Sequence, residues 1–325
     1  MAEGLVSTII PVFNRPALLR EAVASVLAQA YRPLEILIVN DGSTDDTGQA
    51  AEALAAASPD VIRVFHIANG GPGVARETGR QAARGEFIQY LDSDDLLLPG
   101  KFERQIAGLR AHPQCGVAYG KTCCVPVGQE PVLTTPWKRT GERIATMFPS
   151  FLESRWWDTS TPLYRRRVTD AVGPWTALCN EEDWEYDCRV AALGTSLYAC
   201  DEFVSVTRLP QSSLSRGGAV NPRKLADRAR AHALIYRHAR TAGIADTVPE
   251  MRRFARELFL LARQCGAAGL SAEAQELFRL ARTASGRERG KGWDFRLYRA
   301  CAAVVGWNRA GALACWADRF RSFKY

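Results

Sequence analysis

The chain has no apolar run approaching the roughly 20 residues of a membrane-spanning helix. Histidine is scarce, with 4 in 325 residues, and neither a CxxC pair nor a Cys/His cluster at zinc spacing occurs, which excludes a zinc module on pattern. The nine cysteines (Cys115, Cys123, Cys124, Cys179, Cys188, Cys200, Cys265, Cys301 and Cys315) are scattered over apolar segments. Buried thiols in a reducing compartment are therefore expected, not a disulfide framework. No G-x-x-x-x-G-K-[ST] stretch exists, so a P-loop is excluded. Gly70-Gly71-Pro72-Gly73 lacks the G-x-G-x-x-G pattern, follows the third expected strand and contains a proline, which argues against a dinucleotide-binding dehydrogenase. Met1-Ala2-Glu3-Gly4 carries neither a basic n-region nor a cleavage site, so no signal peptide is expected and a cytoplasmic location follows. Without a helix-turn-helix, zinc or RNA-recognition signature, no nucleic-acid partner is expected.

The chain is rich in material for a core, with 47% hydrophobic residues. Its net charge of +7 is unevenly placed. Residues 221–325 hold 21 Lys+Arg against 9 Asp+Glu, a balance of +12, and residues 1–220 hold 21 against 26, a balance of −5. Any anionic surface is thus expected to meet the C-terminal third.

Residues 5–125 alternate apolar strand-like runs with helical patterns: Leu5 to Phe13, Leu34 to Val39, Val61 to Ile67, Phe87 to Leu91 and Gly116 to Tyr119 read as strands. Helices are expected from Pro16, after a Thr44 or Asp45 cap, from Val74 to Ala83 and from Pro99 to Ala111. Such βα units with fully apolar strands imply an α/β fold with a mainly parallel sheet covered on both faces. Ligands of such sheets sit beyond the carboxyl ends of the strands. Asn14, Asp41, Asp92 and Asp94 all fall at those ends. Beyond residue 125 the pattern loosens. Thr140 to Ser154 and Glu181 to Leu193 read as helices, Thr161 to Tyr164 and Phe203 to Leu209 as strands, and Pro210 to Val220 as a loop. Residues 221–325 read as helices at Lys224 to Thr241, Val248 to Ala268, Ala272 to Ala284 and Trp293 to Phe323, with a tetratricopeptide-style hairpin around Gly269.

Chemistry concentrates where Phe87 to Leu91 runs into Asp92-Ser93-Asp94-Asp95. Carboxylates this close repel, and burying them is costly without a cation. Hard oxygen ligands suit Mg²⁺ or Mn²⁺, which keep positions open for substrate phosphates. The alternative is a polar loop ahead of the helix at Pro99.

Four stretches, taken in order, resemble family 2 glycosyltransferases of the GT-A fold: Ile10-Pro11-Val12-Phe13-Asn14-Arg15, Ile38 to Thr47 with its Asn-Asp-Gly-Ser turn, Gly71-Pro72-Gly73-Val74-Ala75-Arg76-Glu77-Thr78-Gly79, and Gly85 to Asp95. Glu181-Glu182-Asp183-Trp184-Glu185-Tyr186-Asp187-Cys188-Arg189, preceded by Leu163 to Trp175, is similar to the family's acceptor-side Glu-Asp motif. The resemblance spans about residues 4–215 and implies a nucleotide-diphospho-sugar transferase fold over 1–217. Residues 1–125 would bind the nucleotide sugar, 126–217 the acceptor, and 218–325 would form a basic α-helical region. It implies Asp94 as metal ligand with Asp92 beside it and on the ribose, and Asp41 reading the base, where the alternative is an Asx-turn. It further implies Pro11, Phe13 and Asn14 at the base and ribose, Arg76 facing base or diphosphate, and Arg208 with Ser212, Ser213 and Ser215 in the loop over the diphosphate. The family often has a His in that loop; here there is none. Asp183 would be the general base and Glu182 its neighbour, although three acids also favour a helix N-terminus through its dipole.

The activity implied is inverting, Mn²⁺- or Mg²⁺-dependent transfer of one sugar from a nucleotide diphosphate sugar, UDP-linked by expectation, to a glycan or lipid-linked acceptor in bacterial surface polysaccharide synthesis such as lipopolysaccharide. The Gln-x-x-Arg-Trp motif of processive synthases is absent. A catalytically silent binding module of the same fold is the alternative. Trp156, Trp157, Trp175 and Trp184 stand on the acceptor side, for sugar stacking or for the core. Trp293, Trp307, Trp316, Phe320 and Phe323 among arginines suit peripheral contact with anionic membrane on its inner face, or else plain helical packing.

Overall fold

The structure, a computed structural model, describes residues 2–209 and 221–322. By residue contacts these fall into two compact units: residues 2–147, 156–186 and 193–209, and residues 148–155, 187–192 and 221–322.

The first unit is built on an eight-stranded sheet. Strands β1 (Ala2–Val12), β2 (Leu34–Asp41), β3 (Ile62–Ile67) and β4 (Gly85–Tyr90) lie parallel in the order β3-β2-β1-β4. Helices α1 (Pro16–Leu27), α2 (Thr47–Ala57) and α3 (Pro72–Ala82) connect them. Every residue of β2 is buried, as is β1 from Gly4 onward. That two-sided burial is why these strands read as unbroken apolar runs instead of alternating ones. Val6, Ile10, Val23, Ile36, Phe87 and Phe102 are among the side chains filling this core. Beyond β4 the sheet turns mixed. β7 (Leu163–Arg165) pairs antiparallel with β4 and with β6 (Cys115–Pro126). β8 (Ser196–Leu209) runs parallel to β6 and carries the two-residue β5 (Leu96–Leu97) antiparallel at the edge. Helix α4 (Lys101–Ala111) packs on β6 and β8, and the short α5 (Arg166–Val172) follows β7.

The helix expected over Thr140 to Ser154 does not form; only a 3₁₀ turn at Ser150–Leu152 appears there. The backbone groups of this stretch bond to the sheet instead. The Tyr119 hydroxyl donates to Glu142 O (2.9 Å) and accepts from Ile144 N (2.9 Å), and Leu197 N donates to Ala145 O (2.9 Å). A helix would forfeit these bonds, and Pro149 would break it in any case.

Helix α6 (Glu182–Ala192) has its first residues in the first unit. The second unit contains α7 (Pro222–Thr241), α8 (Pro249–Ala267), α9 (Ser271–Ala284), α10 (Gly286–Arg289) and α11 (Trp293–Ser322). Asn221 caps α7 by accepting from the N–H groups of Arg223 and Lys224, with Pro222 at the first helical position. α8 and α9 form the expected hairpin, turned by Gly269 at φ 84°. α11 is not the single helix the pattern predicts, because Gly306 (φ 82°, ψ 160°) divides it. Among the described residues, no helix is long and apolar enough to cross a membrane. The expected Pro210 to Val220 loop, with Ser212, Ser213 and Ser215, lies outside the described residues.

Candidate active site

Parallel pairing brings the carboxyl ends of β1, β2 and β4 to one edge, with Val12 opposite Asn40 and Ile9 opposite Tyr90. Asn14 (φ 52°) turns the chain out of β1. Its side-chain oxygen accepts from Thr44 N (2.9 Å) and its backbone N–H donates to the Ser43 hydroxyl (3.0 Å), so the loop after β1 is tied to the loop after β2. Asn and Asp tolerate this left-handed geometry better than other residues with a side chain. Phe13 is 44% exposed at the mouth of the edge, and Pro11 is buried within β1 opposite Val39.

Asp41, at the end of β2, is buried. Its carboxylate accepts from Gly70 N (2.7 Å) and Gly71 N (2.9 Å), clamping the loop that leads into α3. Burial raises its pKa, and the two N–H groups oppose that rise. The clamp requires Gly71 at φ 88°, a conformation open to glycine at no steric cost. At Gly73 a Cβ would come within 2.1 Å of Thr176 O, so only glycine lets α3 start this close to the 173–178 segment.

That close approach aims Arg76, at the start of the second turn of α3, at two acids. Its guanidinium, 4% exposed, donates to Asp92 (2.7 Å) and to Glu182 (2.7 Å) at the start of α6. It also lies over the Trp175 ring at 4.8 Å. Trp175 is stacked on Tyr186 at 3.9 Å and meets Tyr90 edge-on at 4.9 Å, which gives the arginine a rigid aromatic floor. Burial disfavours the Arg76 charge, but the charges of Asp92, Glu182 and Asp183 outweigh it and hold the guanidinium firmly protonated. Glu182 moves the other way: burial and the neighbouring Asp183 charge push it up to about 7 despite Arg76. Asp183 sits beside it in the first turn of α6, its carboxylate accepting from Trp184 N (2.7 Å).

The acids after β4 are each met by an arginine or a hydroxyl. Asp94 pairs with Arg15, next along from Asn14. Burial and the charge of Asp92 raise the Asp94 pKa, against the pull of Arg15. Asp95 is fully enclosed, accepting from Arg208 N (3.0 Å) and from the Ser160 hydroxyl (2.9 Å). Burial and the charges of Asp94 and Asp92 push its carboxyl well above the usual range. Arg208, at the end of β8, is buried and also reaches Asp94 O and the Glu21 carboxylate.

The structure thus gathers Asn14, Asp41, Arg76, Asp92, Asp94, Glu182, Asp183 and Arg208 on strand ends, helix starts and loops at one sheet edge. Sequence reasoning assigned no role to Arg15, Asp95, Ser160 or Glu21. Arg15 carried a signal, because it directly follows Asn14 and β1 neighbours β4. Ser160 carried none, lying in an irregular stretch. Of the four tryptophans on the proposed acceptor side, Trp156, Trp157 and Trp175 are buried and Trp184 is half-buried. The core reading therefore holds for the first three.

Asp92 and Asp94 both present carboxylate oxygens at this edge, and burial, with the Asp92 charge beside it, raises the Asp94 pKa. A hard divalent cation fits such a pair. Among the described residues no three His, Cys, Asp or Glu converge as a preformed metal site.

Residues 7–167 match the family model described as glycosyl transferase family 2. An uncharacterized glycosyltransferase of Rickettsia bellii is 47% identical over 102 residues, which is 31% of this chain and 14% of that protein. The chain thus spans well under a fifth of that relative's length. Among solved structures, S. aureus TarS 1-349 in complex with UDP-GlcNAc has a TM-score of 0.69 at 19% identity, covering 98% of this chain and 92% of that one. The mannosyltransferase PcManGT from Pyrobaculum calidifontis, in complex with GDP-Man and Mn²⁺, has a TM-score of 0.55 at 17% identity, covering 95% and 86%. These two likenesses are of fold: a GT-A mixed sheet flanked by helices, with a helical C-terminal region. Over residues 7–167, just under half of the chain, the match is to glycosyl transferase family 2, the family that the motifs at the sheet edge resemble.

Proposed function

We propose that the chain is an inverting, divalent-metal-dependent glycosyltransferase that moves one sugar from a UDP-linked donor to a hydroxyl of a glycan or lipid-linked acceptor. Its place would be the cytoplasmic side, in building a bacterial surface polysaccharide. The observation that carries this reading is the Arg76 bridge, which joins Asp92 on the donor side to Glu182 beside Asp183 on the acceptor side. One arginine thereby fixes the spacing between the two halves of the reaction. The solved neighbours with UDP-GlcNAc and with GDP-Man and Mn²⁺ support the donor class.

In this reading Asp41 shapes the base pocket through its clamp on Gly70 and Gly71, while Pro11, Phe13 and Asn14 border base and ribose. Asp94 and Asp92 would hold Mn²⁺ or Mg²⁺, which when bound supplies charge stabilisation for the leaving diphosphate. Arg15 and Arg208 add fixed positive charge around those acids. Asp183 takes the proton from the acceptor hydroxyl. Attack opposite the leaving nucleotide inverts the anomeric centre in a single displacement. Residues 1–125 carry the donor side, 126–217 the acceptor side, and 218–325 form a basic α-helical region.

The test is nucleotide release from UDP-, GDP- and dTDP-linked sugars with Mn²⁺ or Mg²⁺. Asp94→Ala should lower kcat/KM on the order of 10³-fold, because metal charge stabilisation is worth several kcal/mol. Asp183→Asn should cost about 10²–10⁴-fold in kcat, with donor affinity retained. If no donor is turned over with metal present, the reading falls and a catalytically silent binding module takes its place.

A further inference from the structure

Helix α11 has two apolar faces, and only one of them is used in packing. In its first segment Phe295, Tyr298 and Ala302 are buried. The Phe295 ring lies 4.7 Å from that of Phe259 on α8, and the Tyr298 ring 5.6 Å from that of Phe278 on α9. Trp293, Leu297 and Val304 are 83%, 68% and 85% exposed, the three most exposed large apolar side chains among the described residues. Ala300 is exposed between them. Steps of four, three and four residues set these positions in one stripe on the side of the helix away from the packed seam. A helix packed by one face should be polar on the other, and this one is not.

The charges beside the stripe share one sign. Between residues 289 and 309 stand Arg289, Lys291, Arg296, Arg299 and Arg309, against a single acid, Asp294. All five cations are exposed. None of them forms an ion pair with a described residue, whereas Arg263 of the neighbouring α8 is paired with Asp318. Asp294 is engaged by its own helix, accepting from Phe295 N (2.9 Å). An exposed apolar stripe with a tryptophan and flanking unpaired cations is the pattern of a helix that lies in a membrane interface. A second copy of the chain is a poorer fit, because it would set one cationic rim against another.

We propose that the exposed stripe of α11 docks the chain on an anionic lipid bilayer. Trp293, Leu297 and Val304 enter the headgroup boundary, and Arg296, Arg299 and their basic neighbours meet lipid phosphates. This inference does not depend on the glycosyltransferase reading.

The experiment is co-sedimentation of the full chain with phosphatidylcholine vesicles, with and without phosphatidylglycerol, at low and high salt. Binding is expected only to the anionic vesicles, weakened by salt, with a blue shift in tryptophan emission. Arg296→Gln/Arg299→Gln should lower the partition coefficient about thirtyfold, since each cation near an anionic surface contributes about fivefold. Trp293→Ser/Leu297→Ser should lower it at least as much; both positions are exposed, and an unchanged melting curve verifies the fold. Vesicle binding that is absent, or equal in both variants and the parent, overturns the proposal. So does a dimer, seen by sedimentation velocity without lipid, that the Trp293→Ser/Leu297→Ser variant dissolves, for then a second copy is the occupant.

Discussion

Arginine is handled in opposite ways at the sheet edge and along the exposed stripe of α11. At the sheet edge Arg76 and Arg208 are buried and each reaches a carboxylate, Asp92 and Glu182 for the first and Glu21 for the second. On α11, Arg296 and Arg299 are exposed and have no ion-pair partner among the described residues. A buried guanidinium without partners would be prohibitively costly, so the first pattern fixes distances between side chains. An exposed, unpaired guanidinium costs nothing and fixes nothing; it stays available to an outside anion. One residue type thus serves as internal strut at the sheet edge and as external contact on α11.

The comparison breaks most visibly at Arg76. Arg76→Met retains much of the side-chain volume but leaves Asp92 and Glu182 facing each other without their common cation. Removing one partner from a buried ion pair typically costs about 3–5 kcal/mol, read as a lower denaturant midpoint with an unchanged m-value. The loss should shrink as the pH is lowered. Glu182 is already pushed up to about 7, so a raised folded-state pKa favours the folded chain as protons are added. Below that value the neutral acid no longer needs the arginine. A pH-independent loss would mean that Arg76 matters through its stacking on Trp175 and not through charge.

Much of the first unit was readable because β1, β2 and β4 are largely apolar and run into Asn14, Asp41 and Asp92. The partnerships across the edge were not readable. Arg76 and Glu182 are 106 residues apart, and nothing local in either motif announces the other. Asp41 shows how two readings of one residue can meet: its carboxylate does serve the local backbone, but the Gly70–Gly71 loop instead of its own turn. The missing helix over 140–154 has the same origin. Its residues have helical spacing, yet β6 and β8 offer its backbone better-placed partners, and tertiary bonds override propensity. In the helical unit the pattern located helices but not faces. Trp307 turns inward on Phe278 (5.3 Å), Trp293 turns outward, and the side chains of Phe320 and Phe323 lie outside the described residues.

Lys101 sharpens the contrast, because it is a buried cation with no carboxylate partner among the described residues. Fully enclosed at the start of α4, it donates to Thr161 O (2.7 Å), an oxygen that also accepts from the Gln105 side-chain amide (3.1 Å). Burial drives its pKa down to about 7. A folded-state pKa below the unfolded one makes the charged form costly in the fold, so this lysine contributes stability that grows as pH rises above about 7 and levels off near its unfolded value. Lys101→Met lacks that slope. Relative to the parent it should lose about 2 kcal/mol of stability on going from about pH 7 to about pH 9, measured by urea unfolding of both proteins. Parallel pH profiles would show that the ammonium is solvated after all.

The smallest effect is expected where the charges are exposed. Without lipid, Arg296→Gln/Arg299→Gln removes no ion pair and opens no cavity, so its unfolding free energy should stay within about 0.5 kcal/mol of the parent. Turnover of a soluble acceptor should also be unchanged, since neither residue belongs to the site. A melting temperature lowered by several degrees would show these arginines to be structural, and the opposition between strut and contact would fail. An unchanged melting curve together with lost vesicle binding would fix it, because the same pair of substitutions would then be silent inside the protein and decisive outside it.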